Sequence, residues 1–219
     1  MATLIVFTRY PEPGSTKTRL IPALGPEGAA ELQGLMTAHS LEAARAFAAA
    51  APNRRRVRVR FAGGTAGAMA ERFGADLAYE PQGEGSLGER LERAFEDAFA
   101  LDGPVLVIGA DCPDLDAAYL EQAREALDQT PLVLGPARDG GYTLLGLRKP
   151  FPKVFRGIDW STERVLEQTR AIAARDGLAT RLLPTLDDVD TPEDLARVEA
   201  RGGALRERFA ALSRLAADR

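Results

Sequence analysis

With 219 residues, 45% of them hydrophobic and 27% charged, the chain is long enough for one sizeable α/β domain and short for two. A formal charge of −4 excludes the broad positive field of a non-specific nucleic-acid binder, and no stretch approaches the roughly twenty apolar residues of a membrane helix. The single cysteine, Cys112, excludes an intramolecular disulfide, and with one histidine it falls short of a zinc site built from those residue types, so an unprocessed chain in the reducing cytoplasm is expected.

Short apolar runs alternate with longer amphipathic stretches, the pattern of βα units feeding a mostly parallel central sheet with helices on both faces. Strands are predicted over 3–8, 57–62, 76–79, 104–110, 132–135, 142–147 and 180–183. Helices are predicted over 26–50, 66–73, 87–100, 117–128, 162–175, 192–201 and 204–217, within one domain spanning 1–219. Leu4 to Phe7 and Val105 to Ile108 are continuously apolar and suit central strands buried on both faces. Arg56 to Phe61 alternates, which suits a strand nearer an edge with one solvated face.

The first strand leads into a loop carrying Arg9, Gly14, Lys17 and Arg19, where ligands of open α/β sheets bind and where cations suit a diphosphate. It is not a P-loop, because Thr16 stands where a glycine must precede Lys-Thr. The segment from Pro81 to Arg90 contains Gly83 and Gly85 before Leu87, and such glycines allow close backbone approach to a base or ribose. The same segment also reads as a helix start, with Ser86 as N-cap and Glu89 completing a capping box.

Asp111 follows the second buried strand, where a carboxylate can hold Mg²⁺ or Mn²⁺ against substrate phosphates, while Asp114 and Asp116 read as helix caps. Asp139-Gly140-Gly141 reads either as a turn or as an acceptor-side carboxylate acting as general base or orienting a sugar ring. Thr191, Pro192 and Asp194 form a helix start, leaving Asp190 as a candidate second metal carboxylate. Trp160, the sole tryptophan, suits stacking on a sugar face. A thiol dyad of Cys112 with His39 lacks an orienting partner, and the basic run from Arg54 to Arg58 lacks the aromatic residues of an RNA platform.

Taken together, Arg9-Tyr10-Pro11-Glu12-Pro13-Gly14 with Lys17-Thr18-Arg19-Leu20, Gly83 to Arg90, Gly109 to Leu115, Asp139-Gly140-Gly141-Tyr142 and Asp188 to Pro192 resemble the glycosyltransferase-A-like family of nucleotide-diphospho-sugar transferases, some connected with arsenosugar biosynthesis. The landmarks are also similar to those of 2-phospho-lactate and molybdenum-cofactor guanylyltransferases. The resemblance implies a single-domain, Rossmann-like GT-A fold and a metal-dependent transferase using a nucleotide or nucleotide-sugar donor and a small-molecule acceptor. It implies phosphate contacts from Lys17 and Arg19, base contacts from Gly83 to Leu87, and Mg²⁺ or Mn²⁺ on Asp111 and Asp190. Lys17, Asp111 and Asp139 are then the expected catalytic residues, with Gly140, Gly141 and Trp160 on the acceptor side. Glycosyl transfer is the expected reaction, with nucleotidyl transfer to a phosphorylated metabolite as the alternative and nucleotide binding without turnover as a third reading. Arg9-Tyr10-Pro11 stands where guanylyltransferases carry consecutive glycines, which weighs toward glycosyl transfer.

Overall fold

A computed structural model of the chain describes residues 1–217; Asp218 and Arg219 lie outside the described residues. Its strands are β1 (Ala2–Arg9), β2 (Arg55–Ala62), β3 (Ala78–Pro81), β4 (Val105–Gly109), β5 (Leu132–Pro136), β6 (Tyr142–Leu147) and β7 (Thr180–Leu182). They form one seven-stranded sheet in the order β3-β2-β1-β4-β6-β5-β7. Every neighbouring pair is parallel except those made by β6, which runs antiparallel to β4 and β5. The short link between β5 and β6 leaves no room for a crossover helix, so a hairpin is the only connection available. The expected α/β fold with a mostly parallel sheet is the observed one.

Both faces of the sheet are covered, because side chains alternate along the central strands. Leu4 and Val6 of β1 pack with Leu41 and Phe47 of α1 (Ile21–Ala49), Met69 of α2 (Ala66–Phe73) and Leu120 and Leu127 of α4 (Ala117–Gln129). Ile5 and Phe7 lie in the opposite layer with Leu91 and Phe95 of α3 (Leu87–Phe99) and Ala173 of α5 (Val165–Arg175). A third cluster packs Leu24, Leu32 and Met36 of α1 against Leu195 and Val198 of α6 (Pro192–Glu199) and Phe209 of α7 (Ala204–Ala217).

The differences from the sequence reading are local. The first helix begins at Ile21, with a break at Gly25 (φ 71°), so the start signal of Pro26 marks the resumption after a kink. The fifth helix begins at Val165, because Ser161, just before the expected start, takes a left-handed backbone (φ 65°) and the chain turns before the helix begins. β2 is second from the sheet edge; on one face Arg58 pairs with Glu80 and Arg60 with Asp97, and on the other Arg55 pairs with Glu121. No described helix is long and apolar enough to cross a membrane.

Candidate active site

The chain lays β1, β2 and β3 outward, then returns to place β4 on the other flank of β1. The carboxyl ends of β1 and β4 therefore border the point where strand order reverses, the place where open α/β sheets bind ligands. Three loops meet there, after β1, after β4 and before α6.

Lys17 joins them. Its backbone is left-handed (φ 47°, ψ 44°), a conformation uncommon for a non-glycine residue, and it heads a 3-10 turn over Thr18–Leu20. The Lys17 ammonium donates to Asp111 Oδ1 at 2.7 Å, Asp190 Oδ1 at 2.7 Å and the Val189 carbonyl at 2.8 Å. An ammonium has three protons, so all are engaged by the protein. The Val189 backbone N–H also donates to the Asp111 carbonyl at 2.9 Å, tying the same two loops together. Burial alone lowers the pKa of Lys17, but Asp111 and Asp190 outweigh it and hold the ammonium above its ordinary value. The Lys17 side chain is only 5% exposed and is directed at these two carboxylates, at the edge of the cleft it helps to line.

A cleft of about 520 Å³ opens beside this bridge. Arg9, Arg19 and Arg90 stand in its wall, and none of the three is ion-paired with a carboxylate among the described residues. Arg90 donates to Gln82 Oε1 at 2.7 Å, and Gln82 Nε2 donates to the Thr8 and Arg60 carbonyls at 3.0 and 3.2 Å. Gln82 thus braces Arg90 against the ends of β1 and β2. Neither residue was singled out from sequence, because the contact depends on strands meeting side by side and leaves no spacing signal.

A second cavity of about 390 Å³ adjoins the first, sharing Arg19, Asp111, Ser161 and Asp190. Leu87, Asp139, Gly141, Tyr142, Trp160 and Asp188 contribute to its wall. The Trp160 and Tyr142 rings meet edge-on at 6.3 Å, and a Cβ at Gly88 would lie 2.4 Å from the Trp160 indole nitrogen. That glycine is what lets the indole lie against α3. Asp139 Oδ1 accepts from the Gly141 N–H at 2.7 Å, so the expected turn is present and coexists with a carboxylate at the cavity.

Several candidate residues lie away from both cavities. Gly14, Gly83, Gly85 and Gly140 are in neither wall. The Gly83 to Gly85 segment closes around Arg93, which donates to the Glu84 carbonyl, so Gln82 rather than the glycines faces the cleft. Gly140 has a packing reason: at φ 89° a Cβ would come within 2.2 Å of the Glu163 carbonyl oxygen. A Gly140→Ala variant is expected to lose more than about 1 kcal/mol, read from its urea midpoint; an unchanged midpoint would remove this account.

The acidic residues leading into α6 and its first turn divide into four tasks. Asp187 accepts from Arg138 Nε at 2.6 Å, Arg197 Nε at 3.1 Å and Arg201. Burial opposes its charge, but Arg138 and Arg201 prevail and hold its pKa down at about 2. Asp188 faces the second cavity; burial first, and then the charge of Asp139, push its carboxyl up to about 7. Asp190 bonds Lys17, and Asp194 forms a reciprocal capping box with Thr191. Asp116 caps α4 as expected, accepting from the Tyr119 N–H at 2.8 Å. Asp114 instead pairs with Arg201 and Arg206, tying the segment after β4 to the C-terminal helices. Cys112 is buried and its thiol is pushed up to about 12, which disables the nucleophile reading.

Residues 44–162, more than half of the chain, match the family described as "uncharacterized protein conserved in bacteria" (DUF2064). The chain belongs to that family. No curated protein matches this DUF2064 member. Among solved structures, it is similar to a putative nucleotide-diphospho-sugar transferase from Desulfovibrio desulfuricans G20, with 28% identity, TM-score 0.86, and coverage of 98% of this chain and 97% of that one. At the level of fold it is similar to CMP:2-keto-3-deoxy-manno-octonic acid synthetase complexed with CTP (12% identity, TM-score 0.57, 96% and 98% covered). It likewise shares the fold of Rv0371C from Mycobacterium tuberculosis H37Rv in complex with manganese (16% identity, TM-score 0.50, 90% and 96% covered).

Proposed function

We propose that the chain is a single transferase domain that binds the diphosphate of a nucleotide-sugar donor in the first cleft and passes the sugar to an acceptor in the adjoining cavity. The observation that carries this reading is the Lys17-bridged pair of Asp111 and Asp190 at the junction of the cavities, beside the unpaired Arg9, Arg19 and Arg90. The name of the Desulfovibrio desulfuricans relative supports the donor class, and its coverage supports applying it to the whole domain.

The carboxylate pair fits a divalent cation in one particular way. Among the described residues no group of three His, Cys, Asp or Glu side chains is placed to hold a metal ion, so the protein does not enclose one by itself. Asp111 and Asp190 each give one oxygen to Lys17, yet their side chains remain 47% and 42% exposed, so each has a face open to the cleft. Two carboxylates completed by substrate phosphates and water are the usual surroundings of Mg²⁺. When bound, the cation would neutralise charge developing on the leaving diphosphate.

The protein's own groups then divide the work. Arg9, Arg19 and Arg90 hold the donor phosphates as charge-assisted donors, with Arg90 fixed by Gln82. Lys17 sets the positions of Asp111 and Asp190 and limits their mutual repulsion. Asp139 and Asp188 face the acceptor, and either carboxylate can take the hydroxyl proton as the acceptor oxygen bonds to the sugar carbon and the carbon–diphosphate bond breaks. Trp160 supplies an apolar wall for the sugar.

A thermal-shift panel of nucleoside diphosphates and nucleotide sugars, with and without Mg²⁺ or Mn²⁺, tests the proposal. A matching nucleotide at a hundred times the Kd it has with the metal is expected to stabilise the fold by about 2.7 kcal/mol, and the same concentration without the metal by less. Arg19→Ala is expected to weaken that binding about tenfold or more. No shift with any nucleotide would overturn the donor reading.

A further inference from the structure

The two adjoining cavities have opposite electrostatic character. The first carries Arg9, Arg19 and Arg90, three cations with no carboxylate partner among the described residues. The second has one basic side chain in its wall, Arg19, and that residue stands at the boundary shared with the first. Its interior polar groups include the carboxylates of Asp139 and Asp188, with Asp111 and Asp190 at the junction. Basic residues nearby in sequence are engaged elsewhere: Arg138 pairs with Asp187 at 2.6 Å and Arg164 with Asp159 at 3.0 Å, and neither enters the wall. Lys17 is enclosed between Asp111 and Asp190.

We infer that the second cavity is an acceptor subsite for a small hydroxylated compound that is neutral or positively charged, and that it rejects acceptors bearing phosphate or carboxylate. This rests on the donor reading of the first cavity. A phosphate placed there would leave water to lie beside the Asp139 carboxylate and the Asp188 carboxyl, with Arg19 at the boundary as the one cation in the wall, whereas an uncharged hydroxyl or an ammonium finds acceptors in the same groups. Leu87, Val165 and the Trp160 ring give the cavity an apolar side, which suits the carbon face of a sugar or amino sugar more than a compact polyanion. The consequence separates two reactions that use the same donor groove. Nucleotidyl transfer to a phosphorylated metabolite requires an anionic acceptor; glycosyl transfer to a hydroxyl does not.

The test uses the full chain with inorganic pyrophosphate and Mg²⁺ filling the first cavity, so that a phosphorylated probe cannot bind there. Saturation-transfer NMR then follows two matched sets: glucose, glucosamine and glucose 6-phosphate, and glycerol, serinol and glycerol 3-phosphate. In at least one set the neutral or amino member is expected to bind ten times or more tightly than the phosphate. In Asp139→Asn and Asp188→Asn that preference is expected to fall to threefold or less. A phosphate member that binds tightest to the wild-type chain would overturn the inference, as would no binding of any member or a preference unchanged in both variants. Failure of pyrophosphate and Mg²⁺ to bind would count against the donor reading, and it is read separately from pyrophosphate line broadening in the same samples.

Discussion

Lys17→Met is expected to make the Asp111–Asp190 pair bind Mn²⁺ in the absence of any nucleotide, at an affinity about tenfold or more above that of the wild-type chain. The Lys17 ammonium donates to one oxygen of each carboxylate at 2.7 Å, so an arriving cation meets a pair already half neutralised. A unit charge at 4 Å is worth ~4 kcal/mol near a protein surface and ~1 kcal/mol in bulk water. Asp111 and Asp190 are 47% and 42% exposed, which places the gain between those limits. Methionine keeps the length of the lysine stem without its charge, and the freed carboxylates retain water, so the fold is expected to survive. Electron paramagnetic resonance of added Mn²⁺ measures the free ion directly. Equal Mn²⁺ affinity in the two proteins would show that Lys17 does not compete for these carboxylates. In the wild-type chain the same competition predicts that metal binds chiefly together with a phosphate-bearing ligand, which supplies the missing oxygens.

Asp187→Asn is expected to cost about 1.5–3 kcal/mol of stability at pH 7. Asp187 is buried, with a side chain 4% exposed, and accepts from Arg138, Arg197 and Arg201, so it connects the loop after β5 with α6 and the segment beyond it. Those arginines are 59%, 35% and 39% exposed, so the substitution leaves no cation stranded in the interior and the loss stays below that of a fully buried broken pair. The pH dependence has a definite sign. A carboxyl held at about 2 in the folded chain, against an ordinary value of 3.8, contributes stability above pH ~4 that is lost as pH falls through 2. Urea unfolding of both proteins at pH 7, 4 and 2 should show a gap that is largest at pH 7 and narrows toward pH 2. A gap that stays constant down to pH 2 would assign the effect to packing rather than charge.

The portions of the site that were legible beforehand are the ones written in short stretches of chain. The capping boxes of Ser86 with Glu89 and Thr191 with Asp194 join residues three apart, and both are present. The apolar runs in β1 and β4 send apolar side chains to both faces because a strand alternates sides, and both faces are buried under helices. A carboxylate at the end of β4, at the mouth of the crevice, likewise follows from the order of strand and loop.

What the sequence determined by itself, therefore, was the alternation of elements, the depth of the central strands, the helix caps and a shortlist of polar residues at strand ends. The tertiary structure alone decided which of those residues meet. Lys17 reaches Asp111 across 94 residues and Asp190 across 173, and it is enclosed between the two carboxylates. It also decided that Asp187, Asp188, Asp190 and Asp194, near neighbours in sequence, turn respectively to an arginine cluster, the second cavity, the lysine bridge and a helix cap. The physical reason is range. Periodicity and capping act over a turn of helix or a few strand residues, whereas charge partnership is set by strand order and loop closure, which bring together groups that carry no mark of one another in the chain.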